Sequence, residues 1–372
     1  MTLESAASRA SFLTTLASEA SEGKKTLLLA PLGAGKTQGL MVVRDVLAAR
    51  DVPFVFIDLF TAASTPERLL STIAESVAPL MTARSPTIGA LAAEGVQDRH
   101  RSSGALLRLF DLLATQRPAT PFVWLIDEVT EIRSLAYFPG LGHIESPFAS
   151  VLSRARGAIL TSSYLGLAPD LFPDLEPVTL PGLTAPDLEG VSSPRLDRDL
   201  VASAINVTGG SAAILLPLLT DLPDSRDVTR SLVGLLRPGG RLELTCRRHY
   251  EVLLMRSRGY AVSKRAAEVV ARTAGQRLTD LFPQIGRTPG ASRQYLRWLV
   301  EVGLLTQTRK RYNFADPILG LWAGLYLGRG SHPSDREIEA AIGGLIDGAR
   351  AEERSEPLPS PPRRPDRFEE ID

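Results

Sequence analysis

Cysteine is almost missing: Cys246 stands alone in 372 residues, which excludes an intrachain disulfide and a thiolate zinc cluster built by one chain. The four histidines, His100, His143, His249 and His332, are too widely separated for recognisable metal-ligand spacing. Net charge is missing too, with 42 Lys+Arg against 42 Asp+Glu. At 44% hydrophobic and 23% charged residues, the composition excludes a wholly disordered chain or a uniformly basic coat protein. Long apolar runs are absent. The most apolar stretches, Ala212–Leu219 and Ile318–Leu327, fall short of the ~20 residues needed to cross a bilayer, so no integral membrane association is expected. The opening MTLESAASRASF carries Glu4 and has no apolar run or small-residue cleavage pattern of a secretory signal. Together with the cysteine count, this predicts a reducing, cytoplasmic setting.

What is present alternates. A first helix is predicted around Ala6–Ala20, then the apolar run Lys25–Pro31, an amphipathic helix Thr37–Arg50, a strand Pro53–Leu59 and a helix marked by Leu69, Leu70, Ile73 and Val77. Ala83–Arg101 looks variable. A helix near Ala105–Gln116 leads into the apolar Phe122–Ile126, and Ala158–Ser162 supplies a fourth strand. This order predicts an α/β fold with a mostly parallel sheet covered on both faces. Pro169–Pro194 holds six prolines in 26 residues and reads as a connector. Helices are predicted over Arg198–Val207, Ser211–Thr220 and Val228–Leu236. Beyond them the neutral total splits: Arg241–Arg311 has 15 Lys+Arg and 5 Asp+Glu, Tyr312–Asp372 has 7 and 12.

Ala30–Thr37 reads APLGAGKT between an apolar strand and a helix. Such a loop aims successive backbone N–H groups at phosphate oxygens, with Lys36 reaching the β and γ phosphates and the Thr37 hydroxyl available to Mg2+. Pro31, Leu32, Gly33, Ala34, Gly35, Lys36, Thr37 and Gln38 form the candidate nucleotide contact; Ala30 stands where the full pattern has glycine. Phe122–Glu128, FVWLIDE, is a buried strand ending in two carboxylates. Asp127 there suits the magnesium shell, and Glu128 suits the polarisation of an attacking water. A hydroxyl at the end of the next strand can orient that water; Thr161, Ser162 and Ser163 are the candidates, with Ser162 or Ser163 preferred and helix capping as the competing role. Asp58 either faces the same cleft or caps the turn before Thr61.

APLGAGKT followed by FVWLIDE resembles the Walker A and Walker B pair of the AAA+ superfamily. Residues 20–327 resemble the archaeal-type ATPases of the STAND group, through Thr208-Gly209-Gly210 and YNFADPILGLW at Tyr312–Trp322 as well. That branch is similar in plan to the origin-binding initiator ATPases. The resemblance implies a P-loop AAA+ parallel sheet core over 1–180, a small helical lid over 181–240, a C-terminal winged helix over 241–330 and an acidic, partly disordered tail over 331–372. It implies ATP and Mg2+ as cofactors and Lys36, Asp127, Glu128 and Ser162 as catalytic residues, with Thr37 and Asp127 on the metal. No sensor arginine stands around Gly209-Gly210, which points away from a motor-like cycle. Arg133, Arg154 and Arg156 are candidate arginine fingers for a neighbouring protomer in an ATP-dependent homo-oligomer.

In the basic segment, predicted helices Ala261–Thr273, Leu278–Phe282 and Ala291–Val302 precede two short strands around Thr306–Phe314, the order of a winged helix whose third helix enters a major groove. Arg293 and Arg297, four apart on one helical face, and Arg309, Lys310 and Arg311 at the hairpin tip are the candidate duplex DNA contacts. Trp298 and Trp322 read as core packing. The function read from the sequence is an ATP-binding, Mg-dependent ATP-hydrolysing switch coupled to DNA. The alternative is a STAND-type signalling or scaffold ATPase whose C-terminal domain binds a protein partner; a metabolic P-loop kinase is more distant.

Overall fold

The computed structural model describes residues 8–118, 120–189, 196–273 and 275–353. Five parallel strands, β1 Lys25–Leu29, β2 Phe54–Asp58, β3 Val123–Asp127, β4 Gly157–Ser162 and β5 Glu176–Thr179, form a sheet in the order β2-β3-β4-β1-β5. The strands that read as continuous apolar runs are those buried on both faces, as β-branched and leucine residues alternate between two cores. Leu28, Val123, Leu125 and Ile159 meet α1 (Arg9–Ser21) and α2 (Lys36–Ala49). Leu27, Val55, Trp124, Ile126 and Leu160 share the opposite core with α4 (Pro66–Val77), α6 (Arg99–Thr115) and α7 (Glu145–Arg154). The short α3 (Leu59–Ala62) follows β2, α5 (Ser85–Gln97) fills the segment that looked variable, and α8 (Leu167–Leu171) follows β4.

One expectation needs amending here: the proline-rich connector contains β5, an edge strand paired only with β1. Pro177 lies in it, and a residue without an N–H is tolerated at an edge because no second neighbour needs the donor. Residues 190–195 of the same stretch lie outside the described residues.

The remaining helices are α9 (Arg198–Thr208), α10 (Ala212–Ser225), α11 (Val228–Leu236), α12 (Arg241–Arg256) and α13 (Tyr260–Arg272). Then come β6 (Gln276–Arg277), α14 (Leu278–Ile285), α15 (Pro289–Glu301), β7 (Leu305–Thr308), β8 (Arg311–Phe314), α16 (Pro317–Tyr326) and α17 (Asp335–Glu353). One continuous apolar core runs through them, from Leu188 to Ile342. Strands β7 and β8 form an antiparallel hairpin, with β6 on the other side of β8. Thr288 caps α15 by accepting from the Ala291 N–H, with Pro289 in the first turn. The half-buried Asp316 caps α16 by accepting from Ile318 and Leu319, and desolvation outweighs these two donors so that its carboxyl titrates above the usual range. Trp322 is buried as core, as the sequence predicted.

Asp335–Glu353 is helical, and its Ile338 and Ile342 are buried in the common core. An ion pair between Arg237 and Asp335 ties its start to α11. The isoleucines four residues apart provide the apolar stripe that the acid count of the segment concealed.

Candidate nucleotide site

The loop from Ala30 to Gly35 joins β1 to α2 at the carboxyl edge of the sheet. Gly33 and Gly35 have φ of +81° and +94°, a region that a residue with a Cβ enters at a cost of about 1–2 kcal/mol. Crowding adds a second requirement. A Cβ on Gly33 would lie 2.6 Å from His249 Cε1 and 2.7 Å from the Ala213 methyl, and one on Gly35 would lie 3.0 Å from Arg9 Nη1. The loop is thus roofed by α10, α12 and the start of α1: the Ala213 N–H donates to Gly33 O at 3.1 Å, and Arg9 Nη1 donates to Ala34 O at 2.8 Å. Ala30 fits: its backbone is not in the left-handed region and its methyl is buried in the core beneath the loop.

The first N–H groups of α2, from Lys36 to Gln38, have no partner within the helix and carry the positive end of its dipole. Thr37 Oγ1 donates to Asp127 Oδ2 at 2.6 Å, and Thr161 donates to the other Asp127 oxygen. Burial raises the Asp127 carboxyl; the two hydroxyls oppose this, and the negative Glu128 and Asp58 add to it. Asp58 sits beside Asp127 in the β2–β3 register but accepts from Phe60 N and Thr61 Oγ1, at 2.9 and 3.0 Å, so capping occupies it.

Glu128 follows directly in the left-handed region at φ 49°, the kind of backbone strain that concentrates at functional sites. The turn sends its side chain to Lys36. Lys36 Nζ lies 3.2 Å from Glu128 Oε1, with the side chains 4% and 12% exposed, and also donates to Ala30 O at 3.1 Å and Pro31 O at 3.3 Å. Glu128 Oε2 accepts from the Ser163 N–H at 3.0 Å and the Ser163 hydroxyl at 2.8 Å. Burial alone would raise this carboxyl, but the Lys36 ammonium, the two Ser163 donors and the Arg256 guanidinium more than reverse it, so it lies below the usual carboxylate range.

The hydroxyls at the end of β4 divide by strand alternation. Thr161 and Ser163 face Asp127 and Glu128, and Thr161 Oγ1 also accepts from the Glu128 N–H at 3.0 Å. Ser162 is turned to the other face, where its hydroxyl lies 3.0 Å from Thr130 Oγ1 and accepts from Tyr164 N. This corrects the choice of Ser162: its side chain does not meet Glu128.

Oxygen ligands suit Mg2+, which keeps most of its water and takes only one or two protein oxygens. Thr37 Oγ1 and Asp127 Oδ2 are such a pair, and they adjoin the phosphate loop. No group of three His, Cys, Asp or Glu side chains capable of holding a metal occurs among the described residues, so water and phosphate oxygens would complete the shell.

Sequence reasoning overlooked α12. His249 lies on the phosphate loop, and burial first, then the positive Arg248 and Lys36, lower its titration. Seven residues on, Arg256 Nη1 donates to Ser163 Oγ at 2.8 Å and Nη2 pairs with Glu131 Oε1 at 3.1 Å. Arg293 and Arg297 lie on α15, Arg309 and Lys310 in the turn between β7 and β8, and Arg311 at the start of β8. Arg297 pairs with Glu301 at 2.9 Å, and Arg311 Nη1 donates to Gly275 O at 2.6 Å. Arg133 pairs with Glu145 at 3.3 Å, whereas Arg154 and Arg156 flank the amino end of β4, at the sheet edge opposite the phosphate loop.

No protein-family model matches the chain, and no curated protein does. Among solved structures it is similar to the Walker-type ATPase of Pyrococcus abyssi, with a TM-score of 0.58 and 16% identity over 87% of this chain and 99% of that one. The replication initiator DnaA bound to AMPPCP and single-stranded DNA matches at a TM-score of 0.34 and 14% identity, over 77% of this chain and 86% of that one. AMPPCP-bound DnaA from Aquifex aeolicus matches at 0.32 and 13% identity, over 92% and 87%. The first likeness, with the strand order and the loop between β1 and α2, defines the fold: an α/β protein built on a five-stranded parallel sheet with a glycine-containing loop leading from β1 into α2. No helix among the described residues is long and apolar enough to cross a membrane.

Proposed function

We propose that the chain binds Mg-ATP at the phosphate loop and hydrolyses it as a molecular switch, with α9–α11 as the lid and residues 241–330 as a winged-helix module that binds duplex DNA. The observation that carries this reading is the convergence of Lys36 and Thr37, after β1, with Asp127 and Glu128, at the end of β3, on one cluster in which Lys36 and Asp127 are buried. Bound Mg2+ would draw charge from the β and γ phosphate oxygens. Thr37 and Asp127 hold it, the α2 amino end and Lys36 carry positive charge toward the transferring group, and Glu128 orients the attacking water once its carboxylate is released from Lys36. Thr161 fixes the Asp127 carboxylate and, through the Glu128 N–H, the strained turn beside it. Arg293, Arg297, Arg309, Lys310 and Arg311 supply the DNA contacts on the module. Association of protomers on ATP and donation of an arginine finger belong to the same reading.

A specific observation favours a second reading, in which the module binds protein. Arg297 and Arg311, both candidate DNA contacts, are engaged within the chain by Glu301 and Gly275. Phosphate release from Mg-ATP, measured for wild type and Glu128→Gln with and without duplex DNA, decides between them. DNA-stimulated turnover lost in Glu128→Gln supports the first reading; turnover indifferent to DNA over a range of salt supports the second. Absence of nucleotide binding refutes both.

A further inference from the structure

The geometry points to Arg256 as a positioning residue for Glu128: through Ser163 it holds this carboxylate in a resting arrangement, and the docking of α12 on the core thereby restrains hydrolysis. The inference rests on the ATPase reading above.

Hydrogen-bond polarity fixes the sense of the relay. A guanidinium only donates, so with Arg256 Nη1 on its oxygen at 2.8 Å, the Ser163 hydroxyl spends its one proton on Glu128 Oε2, also at 2.8 Å. The Ser163 N–H adds a second donor to the same oxygen, and Lys36 Nζ takes Oε1. Both carboxylate oxygens are thus engaged by donors of the protein. A base so engaged is poorly placed to accept a proton from water.

Arg256 is itself held on three sides. Its Nη2 pairs with Glu131 at 3.1 Å, the side chains being 14% and 21% exposed, and its guanidinium carbon lies 4.9 Å from the centre of the Tyr164 ring. It is the last residue of α12, outside the sheet core. Because His249 and Arg256 are seven residues apart, two helical turns, one face of α12 reaches both the phosphate loop and the Glu128 carboxylate. The neighbouring contact is equally close: a Cβ on Gly303, just after α15, would lie 2.9 Å from Ser163 O. Movement of the C-terminal module away from the core would therefore withdraw Arg256 and free the Ser163 hydroxyl to rotate.

The test is steady-state ATP turnover of the full chain for wild type, Arg256→Ala, Arg256→Lys and Ser163→Ala, with folding checked by circular dichroism. Loss of one charge-assisted hydrogen bond in the resting state predicts a rise in kcat of roughly five-fold for Arg256→Ala with KM little changed. Ser163→Ala gives a similar rise, and Arg256→Lys a smaller one, since an ammonium can still donate to Ser163. A rise in kcat with KM unmoved, partly reversed in Arg256→Lys, is a pattern that a merely structural role would not give. If Arg256→Ala fails to fold, Ser163→Ala decides with the same readouts. Turnover equal to or below wild type in the folded variants overturns the inference. The reading beneath it is tested separately, by binding of a fluorescent ATP analogue lost in Lys36→Ala; no binding by wild type overturns both.

Discussion

The Lys36–Glu128 pair makes a quantitative claim that a double-mutant cycle can refute. At the observed 3.2 Å and an effective dielectric constant of about 20, the two charges attract by about 5 kcal/mol before desolvation is counted. Removing one partner strands the other in a buried site, so Lys36→Met and Glu128→Gln are each expected to destabilise the core by about 3–5 kcal/mol. Methionine retains much of the apolar stem contact of lysine, and glutamine keeps an acceptor for Ser163. The double variant strands no charge and should fall well short of the summed losses, with a coupling of about 2–4 kcal/mol. Urea unfolding reads this if Trp298 and Trp322 are replaced by Phe in all four proteins, leaving Trp124, 3% exposed in β3, as the fluorescent probe of the sheet core. Single losses that add to within about 0.5 kcal/mol of the double would show that the pair is not coupled.

Three other outcomes are expected. Glu128 has a folded pKa below its unfolded value, so its stabilisation is present above the unfolded value and lost as pH falls through the folded one. Asp127 is raised and works in the opposite sense, gaining stability as it protonates; urea midpoints taken from neutral pH into acid should therefore decline less steeply in Glu128→Gln and more steeply in Asp127→Asn. Ile338→Ala should cost about 2–5 kcal/mol by the cavity it leaves, measured by chemical denaturation, whereas an unpacked tail would lose almost nothing. Arg309 and Lys310 have φ of 51° and 65° in the two-residue turn between β7 and β8. Replacing them by Asn-Gly should stabilise the hairpin by about 1 kcal/mol and, on the DNA reading, reduce the salt dependence of duplex affinity by about two phosphate contacts.

The sheet and the phosphate loop were legible because their physics is local. Strands buried on both faces must be continuously apolar, and a loop that admits phosphate must combine glycine with Lys36-Thr37. Strand β5 escaped because an edge strand has little burial to advertise, and its Pro177 reads as a breaker until the missing neighbour is known. Ser162 was preferred because one-dimensional spacing does not say which face of β4 a side chain takes; Thr161 and Ser163 share a face, and Ser162 lies between them. Helix α12 was read as charge alone. Its buried Leu242, Cys246, Tyr250 and Leu253 recur at helical spacing, a signal visible in the sequence, but the contact of His249 with Gly33 depends on tertiary packing. The α17 stripe of Ile338 and Ile342 was similarly hidden by acid content.

The strand order also has a consequence for synthesis. β1 is made well before its partners β4 and β5, so Lys25 waits for Ala158 and Thr26 for Glu176. At ribosomal rates of about 5–20 residues per second, the apolar KTLLL segment remains without either neighbour for on the order of ten seconds. Such a segment, with both strand edges open, is a template for wrong pairing. Helix α1 offers early cover, since Leu13, Leu16, Ala17 and Ala20 lie in the same core as Leu28. Even α1 is fastened late: its Arg9 and Ala10 N–H groups donate to Asp187, 178 and 177 residues further along. The nascent chain must therefore protect this apolar strand before the residues that complete the sheet have left the ribosome.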